Sequence, residues 1–266
     1  MGVSLSWSRL RWPLLVGVTW AVLMFLMLPT LVAVPVSLTT ERYLSLPHGA
    51  ISFQHYATLV TDPTWRNSVI QSLIIGATVT VLATTLGTAA AIGLWRLSSW
   101  WAEAARVLFL APMIVPPIVS ALAFYKMFAQ LRLIDTFAGV ILAHTLLATP
   151  YVLVTVAASL ATIDLRQEQA SRSLGASMWR TMRSVIVPQI MPGIIAGAVF
   201  AFIISWDEIV VTLFVAARAV YTLPRKMWDG VNEAVDPTIA AAATVLFLIT
   251  MVLIGMQVLR QARGHE

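Results

Sequence analysis

Apolar runs of about twenty residues, the length of a membrane-crossing helix, recur along this chain, and no other feature narrows its fold so far. Six spans are expected, at 13–37, 68–94, 107–130, 137–161, 188–216 and 239–259. Each can cross about 30 Å of hydrocarbon at 1.5 Å rise per residue. The strands of a membrane β-barrel would alternate apolar and polar residues, and these runs do not. Apolar residues make up 59% of the 266 and charged residues 11%, against about 45–50% and about 25% in soluble domains. A disordered chain is excluded. The fold expected is all-α: a polytopic transmembrane helical bundle, with 1–266 forming one membrane domain. The first run follows Arg9 and Arg11 and is too long for a signal peptide, so it reads as an uncleaved anchor.

There is no cysteine, which removes disulfides, thiolate metal sites and a cysteine nucleophile. The net charge is +5, and its placement matters more than its sum. With the N-terminus inside, ten Lys/Arg lie in inner segments, from Arg9 and Arg11 through Arg96, Arg166 and Arg172 to Arg260 and Arg263; seven lie outside. Four of the twelve acids are inside, Glu266 among them. The excess of inner positive charge places both termini in the cytoplasm. Trp7, Trp12, Trp95, Trp100, Trp101 and Trp228 fall near the expected interfaces, as aromatic belts do.

The longest inner loop, 162–187, carries the clearest functional signal. Residues 164–174 favour a helix with an acid in its first turn, Gly175 suits the helix C-terminus, and a second short helix follows before Pro188 opens the next span. A basic helix–Gly–helix element under the membrane, with Met178 and Trp179 available to bury, suits docking to a cytoplasmic partner. A basic loop resting on anionic lipid has the same composition.

The spacing Gln169-Ala170-Ser171, then Gly175, then Val185-Ile186-Val187-Pro188 resembles the EAA loop of binding-protein-dependent ABC importer permeases. Gln169 stands where that family has Glu, Glu168 is displaced by one position, and Ser171 replaces an Ala. The resemblance continues through Ala143-His144-Thr145, Thr149-Pro150-Tyr151-Val152, Ser205-Trp206-Asp207-Glu208-Ile209-Val210-Val211 and Leu223-Pro224-Arg225-Lys226-Met227-Trp228, all similar to the spermidine/putrescine-type branch. It implies a MetI-like fold in a bacterial inner membrane. It implies a second permease subunit, two cytoplasmic ATPases and an external substrate-binding protein. It also implies that Glu168, Gln169, Ala170, Ser171, Arg172, Gly175, Ala176 and Trp179 form a coupling element. The chain has no Walker A pattern, so ATP and Mg would be used by the partner ATPase, and no cofactor, metal or catalytic residue is expected in this chain. No nucleic-acid partner is expected.

Asp207 and Glu208 lie inside the fifth span. A charge at the centre of a membrane helix costs about 2.5–3.5 kcal/mol on insertion scales, so such acids face a bundle interior or a wet path. Gly197, Ala201, Ser205, Glu208 and Thr212 share one helical face. Glu208 is therefore expected on the substrate path, attracting an amine, with Asp207 in an internal hydrogen bond or ion pair. A structural pair of these acids with Lys126 is the alternative. His144, Ala148, Tyr151 and Thr155 form a stripe that could line the path or bond helix to helix. Trp206 could offer a cation–π face or pack. Pro116-Pro117 should break the third span. Pro117 stands where the polyamine branch often carries an acid, which points toward a zwitterionic or singly charged amine.

Two other classes compete with this reading. A self-contained channel or secondary transporter would leave the 162–187 loop without a partner. A membrane-embedded protease would need a catalytic pair, and His144 is the only His within a span.

Overall fold

In the computed structural model, residues 6–97 and 99–263 are described. The side chains of Trp7, Arg9, Arg11, Arg260 and Arg263, and all of Glu266, lie outside the described residues. Every regular element among the described residues is helical. The sequence reads as one domain, whereas the contacts divide into two compact units: 67–226, and a second made of the residues up to 66 and from 227 on.

The second unit holds α1 (Ser6–Val36), α2 (Gln54–Thr61) and α12 (Thr238–Arg263), with α12 packed on α1 and α2. From Trp12 to Val32, α1 exposes Leu, Val, Met, Phe and Trp around its circumference. A helix apolar on every side belongs in lipid or inside a larger assembly.

The 67–226 unit contains most of α3 (Pro63–Arg96), followed by α4 (Trp100–Ile114), α5 (Pro117–Leu131), α6 (Phe137–Leu160), α7 (Leu165–Ser173), α8 (Met178–Thr181), α9 (Val187–Asp207), α10 (Val210–Val215) and α11 (Leu223–Asp229), the last ending just beyond it. Its core is α6, which buries Val140, Ala143, His144, Ala148, Val152 and Val156. The most extensive packing is α6 against α9. That seam is made of small residues. A Cβ on Gly197 would lie 2.7 Å from Thr155 Oγ1 and 3.1 Å from the Val152 Cα, and one on Gly193 would collide with Ser159 Oγ. Close backbone approach through small residues is how helices pack where water supplies no driving force.

Five helices are long and apolar enough to cross a membrane; α4 and α5 together form a sixth, bent by 105°. The bend follows from Pro116-Pro117. Val115, ahead of a proline, is extended (ψ 130°), and Pro117 restarts the helix at its first turn. The fifth span departs from the expected unbroken 188–216. α9 stops at Asp207, Glu208 is extended (φ −73°, ψ 110°), and α10 begins at Val210. No Gly or Pro stands there. The break is sustained by Glu208 itself, whose carboxylate accepts the Val211 N–H at 2.8 Å and so caps α10.

Candidate functional site

The two helix breaks meet at one cavity of about 210 Å³. Pro112, Met113, Val115 and Pro117 line it from the α4–α5 bend, Leu147 and Tyr151 from α6, and Ile204, Asp207 and Glu208 from the α9–α10 break. Of the residues expected on the substrate path, Tyr151, Asp207 and Glu208 are therefore brought together. Both acids line the cavity, but their bonding differs from the expectation that Asp207 is the one held internally. One Glu208 oxygen is committed to the α10 cap. Asp207 is exposed and makes no ion pair or hydrogen bond among the described residues. Lys126 is exposed, and neither acid forms a salt bridge with it.

His144 and Ser205 are buried instead of lining the cavity. His144 is wholly buried on α6, with Nδ1 3.1 Å from Ser205 Oγ on α9 and Nε2 3.1 Å from Thr212 Oγ1 on α10. The Thr212 hydroxyl donates to the Glu208 carbonyl at 3.1 Å. One imidazole thus bolts α9 and α10 together across the break. Ser205, Gly197 and Ala201 all face packed protein, so the small polar stripe is the α6–α9 seam. Trp206 stacks on Phe202 at 5.6 Å and is not among the cavity-lining residues.

Both formal charges that line the cleft are negative, Asp207 and Glu208. The C-terminal ends of α4 and α9 contribute to its wall, and helix C-termini carry partial negative charge. Both acids lie there, and the Glu208 cap answers the positive end of α10. A larger cavity of about 790 Å³ lies in the angle between α4 and α5, but its lining, including Leu86, Leu108, Phe109, Val119 and Phe124, has no charged group.

The 162–187 loop forms the expected helix–Gly–helix. Asp164 caps α7 by accepting the Arg166 N–H at 2.9 Å, Gly175 takes φ +83°, and Ser177 caps α8. A π-helical turn, Met182–Ile186, joins α8 to α9. Gln169, Ala170 and Arg172 are exposed, Ala176 is half-buried, and Ser171 is held by Thr181 Oγ1 at 3.1 Å. Leu174 and Trp179 are 89% and 73% exposed. Glu168 is different: it is buried and ion-paired with Arg96, Nη1 to Oε1 3.0 Å.

Asp135 was not expected as a site residue. From the turn after α5 its carboxylate accepts the backbone N–H groups of Ala217, Arg218, Ala219 and Val220 at 2.8–3.3 Å, holding the segment that follows α10. An Asp after Leu-Ile and before Thr reads as an ordinary turn residue, and the segment it binds is over eighty positions away.

Residues 83–264 match the family described as binding-protein-dependent transport system inner membrane component. The chain is 29% identical to the spermidine/putrescine transport system permease protein PotC of Haemophilus influenzae, over 91% of this chain and 94% of that protein. It is 30% identical to the putrescine transport system permease protein PotI of Escherichia coli, over 84% and 81%. Among solved structures, a bacterial ABC transporter that imports the acidic polysaccharide alginate superposes with a TM-score of 0.73 at 13% identity, covering 98% of this chain and 99% of that one.

Proposed function

Because the chain belongs to the family of binding-protein-dependent transport system inner membrane components, and is thus a permease subunit of an ABC importer, we propose that it forms half of a path for a small amine-bearing solute. The observation that carries this reading is the uncompensated Asp207 carboxylate in a cleft built from two helix breaks. Discontinuous helices around a midplane cavity are how transporters place polar groups and backbone ends where a solute passes. Asp207 meets the ammonium group, the half-committed Glu208 adds a second acceptor, and Tyr151 closes the wall. Pro117 lines the same cleft, so the position that often supplies a further acid in polyamine permeases supplies none here. A singly charged or zwitterionic amine fits that charge count, and putrescine or spermidine, the solutes in the relatives' names, are the comparison.

The remaining parts follow from the same reading. ATP and Mg are used by two cytoplasmic ATPases, which meet α7, the Gly175 turn and α8 through Leu174, Trp179, Gln169 and Arg172. A second permease, a distinct chain, completes the path, and a periplasmic binding protein delivers the solute. Both termini face the cytoplasm.

The test is uptake by the assembled importer in proteoliposomes, using labelled putrescine, spermidine and a zwitterionic amino acid in turn. Asp207→Asn is expected to reduce uptake of the preferred amine at least tenfold, the scale of one charge-assisted contact, while assembly is kept. Glu208→Gln is expected to cost less. Undiminished uptake by Asp207→Asn would remove the acid from the path.

A further inference from the structure

Glu168 faces inward from α7, yet it adjoins the residues proposed to meet the ATPases. Its carboxylate pairs with Arg96, the last residue of α3, at 3.0 Å, with the two side chains 11% and 25% exposed. The Arg96 guanidinium also lies over the Trp95 ring, 5.3 Å from its centroid. From this joint α3 runs with no internal proline to its other end. There Gln71 Oε1 accepts the Tyr221 N–H at 2.7 Å, and Ser72 Oγ accepts the Leu223 N–H at 2.8 Å. About 37 Å of α-helix separates Gln71 from Arg96, at 1.5 Å per residue. The segment clasped at the far end is the one whose preceding residues, 217–220, are held by Asp135.

We infer that α3 is a push rod: the Glu168–Arg96 pair transmits movement of α7 along α3, and the Gln71–Ser72 clasp delivers it to the 217–223 segment on the opposite side of the membrane. Three properties support this. The pair is largely buried, so solvent screens it little. Breaking it by removing one partner leaves an uncompensated buried charge, so the joint holds while the helix moves. An α-helix without a proline or a break is stiff along its axis, unlike the α4–α5 and α9–α10 pairs, which are broken. Glu168 is on this account a positioning residue that keeps its acid within the chain, while Gln169 faces outward. The inference rests on the reading of α7 and α8 as the element that meets the ATPases.

The experiment uses the assembled importer in nanodiscs and exploits the absence of cysteine. A spin label on Arg218→Cys, in the clasped segment, reports the outer movement when the ATPases are trapped with ATP and vanadate. A Trp179→Cys cross-link reports docking. Arg96→Met combined with Glu168→Met removes both charges without stranding either one, and so keeps the fold. This double variant is expected to keep the Trp179→Cys cross-link, to lose the nucleotide-dependent change at position 218, and to take up several-fold less solute per ATP hydrolysed. Glu168→Gln alone is expected to give the same loss of coupling, no smaller than the double variant's. A retained cross-link with an undiminished change at 218 would overturn the push rod and leave the docking reading intact. Loss of the cross-link with the Arg96–Glu168 pair intact would overturn the docking reading, and the push rod with it.

Discussion

Four backbone N–H groups converge on the carboxylate of Asp135, a residue at φ +56°. Aspartate and asparagine tolerate that left-handed backbone better than most residues, so Asp135→Asn isolates the charge. Burial opposes ionisation of Asp135, but the N–H donors of Ala217, Ala219, Arg218 and Val220 outweigh it and hold the carboxyl below its ordinary 3.8. A carboxyl depressed in the folded state stabilises above its unfolded value, and that stabilisation is lost as pH falls through the folded value. Asp135→Asn should therefore unfold at a lower temperature than the unsubstituted protein near neutral pH. The gap should hold down to about pH 5 and close below about pH 4, as thermal unfolding in detergent across that range would show. A gap independent of pH would mean that shape, not charge, holds the 217–220 segment. Residue roles were only partly legible in the sequence. That Asp207 and Glu208 matter follows from the cost of acids in hydrocarbon. Which of them is committed depends on where α9 stops, and helical periodicity assumed that it did not stop. The resemblance puts Glu168 in the coupling element, and its pairing with Arg96 is not legible in the sequence because the two are 72 positions apart.

The elements were legible where local chemistry decides them. Pro116-Pro117 announces the α4–α5 bend, and Gly175 with Asp164 and Ser177 announces the helix–turn–helix of the inner loop. The α9–α10 break has no such announcement, and its one local trace is an acid placed to cap a helix three residues later at Val211. The Gly197-Ala201-Ser205 stripe shows the ambiguity of small residues: a path and a tight seam require the same side chains. Their use as a seam gives an element-scale prediction. Gly197→Val forces α9 away from Thr155 and Val152 and is expected to cost about 1–3 kcal/mol, the usual penalty of overpacking, seen as a lower melting temperature and a lower yield of folded protein. Gly93→Ala in α3, where an added methyl meets nothing within 4 Å, should be neutral or slightly stabilising, since Ala is favoured over Gly within helices by about 1 kcal/mol. A harmless Gly197→Val would return that face to the solute path.

At the scale of the molecule, hydropathy specified a helical membrane protein, and the resemblance of the 162–187 loop to the EAA loop pointed to its class. Length alone did not reveal that two of the six spans are interrupted or that the contacts fall into two units. Orientation rests on the Lys/Arg distribution and is open to direct measurement. Single cysteines at Leu174, 89% exposed in the loop, and at Arg218, exposed in the segment held by Asp135, should respond oppositely to a membrane-impermeant thiol reagent on intact spheroplasts. Arg218→Cys should label at once and Leu174→Cys only after permeabilisation. The reverse pattern would invert the topology and move the loop away from any ATPase.

The interruption at Glu208–Ile209 restricts the environment around it. Hydrocarbon offers no partner to a peptide group released from a helix ladder, at a cost of several kcal/mol for each group left bare. Acyl chains therefore cannot coat the face on which α4 and α9 both end, and whatever stands opposite must be water or another polypeptide. The uncovered side of the chain is thus marked by its own backbone as the inside of something larger, while continuous helices such as α1 are free to meet the lipid.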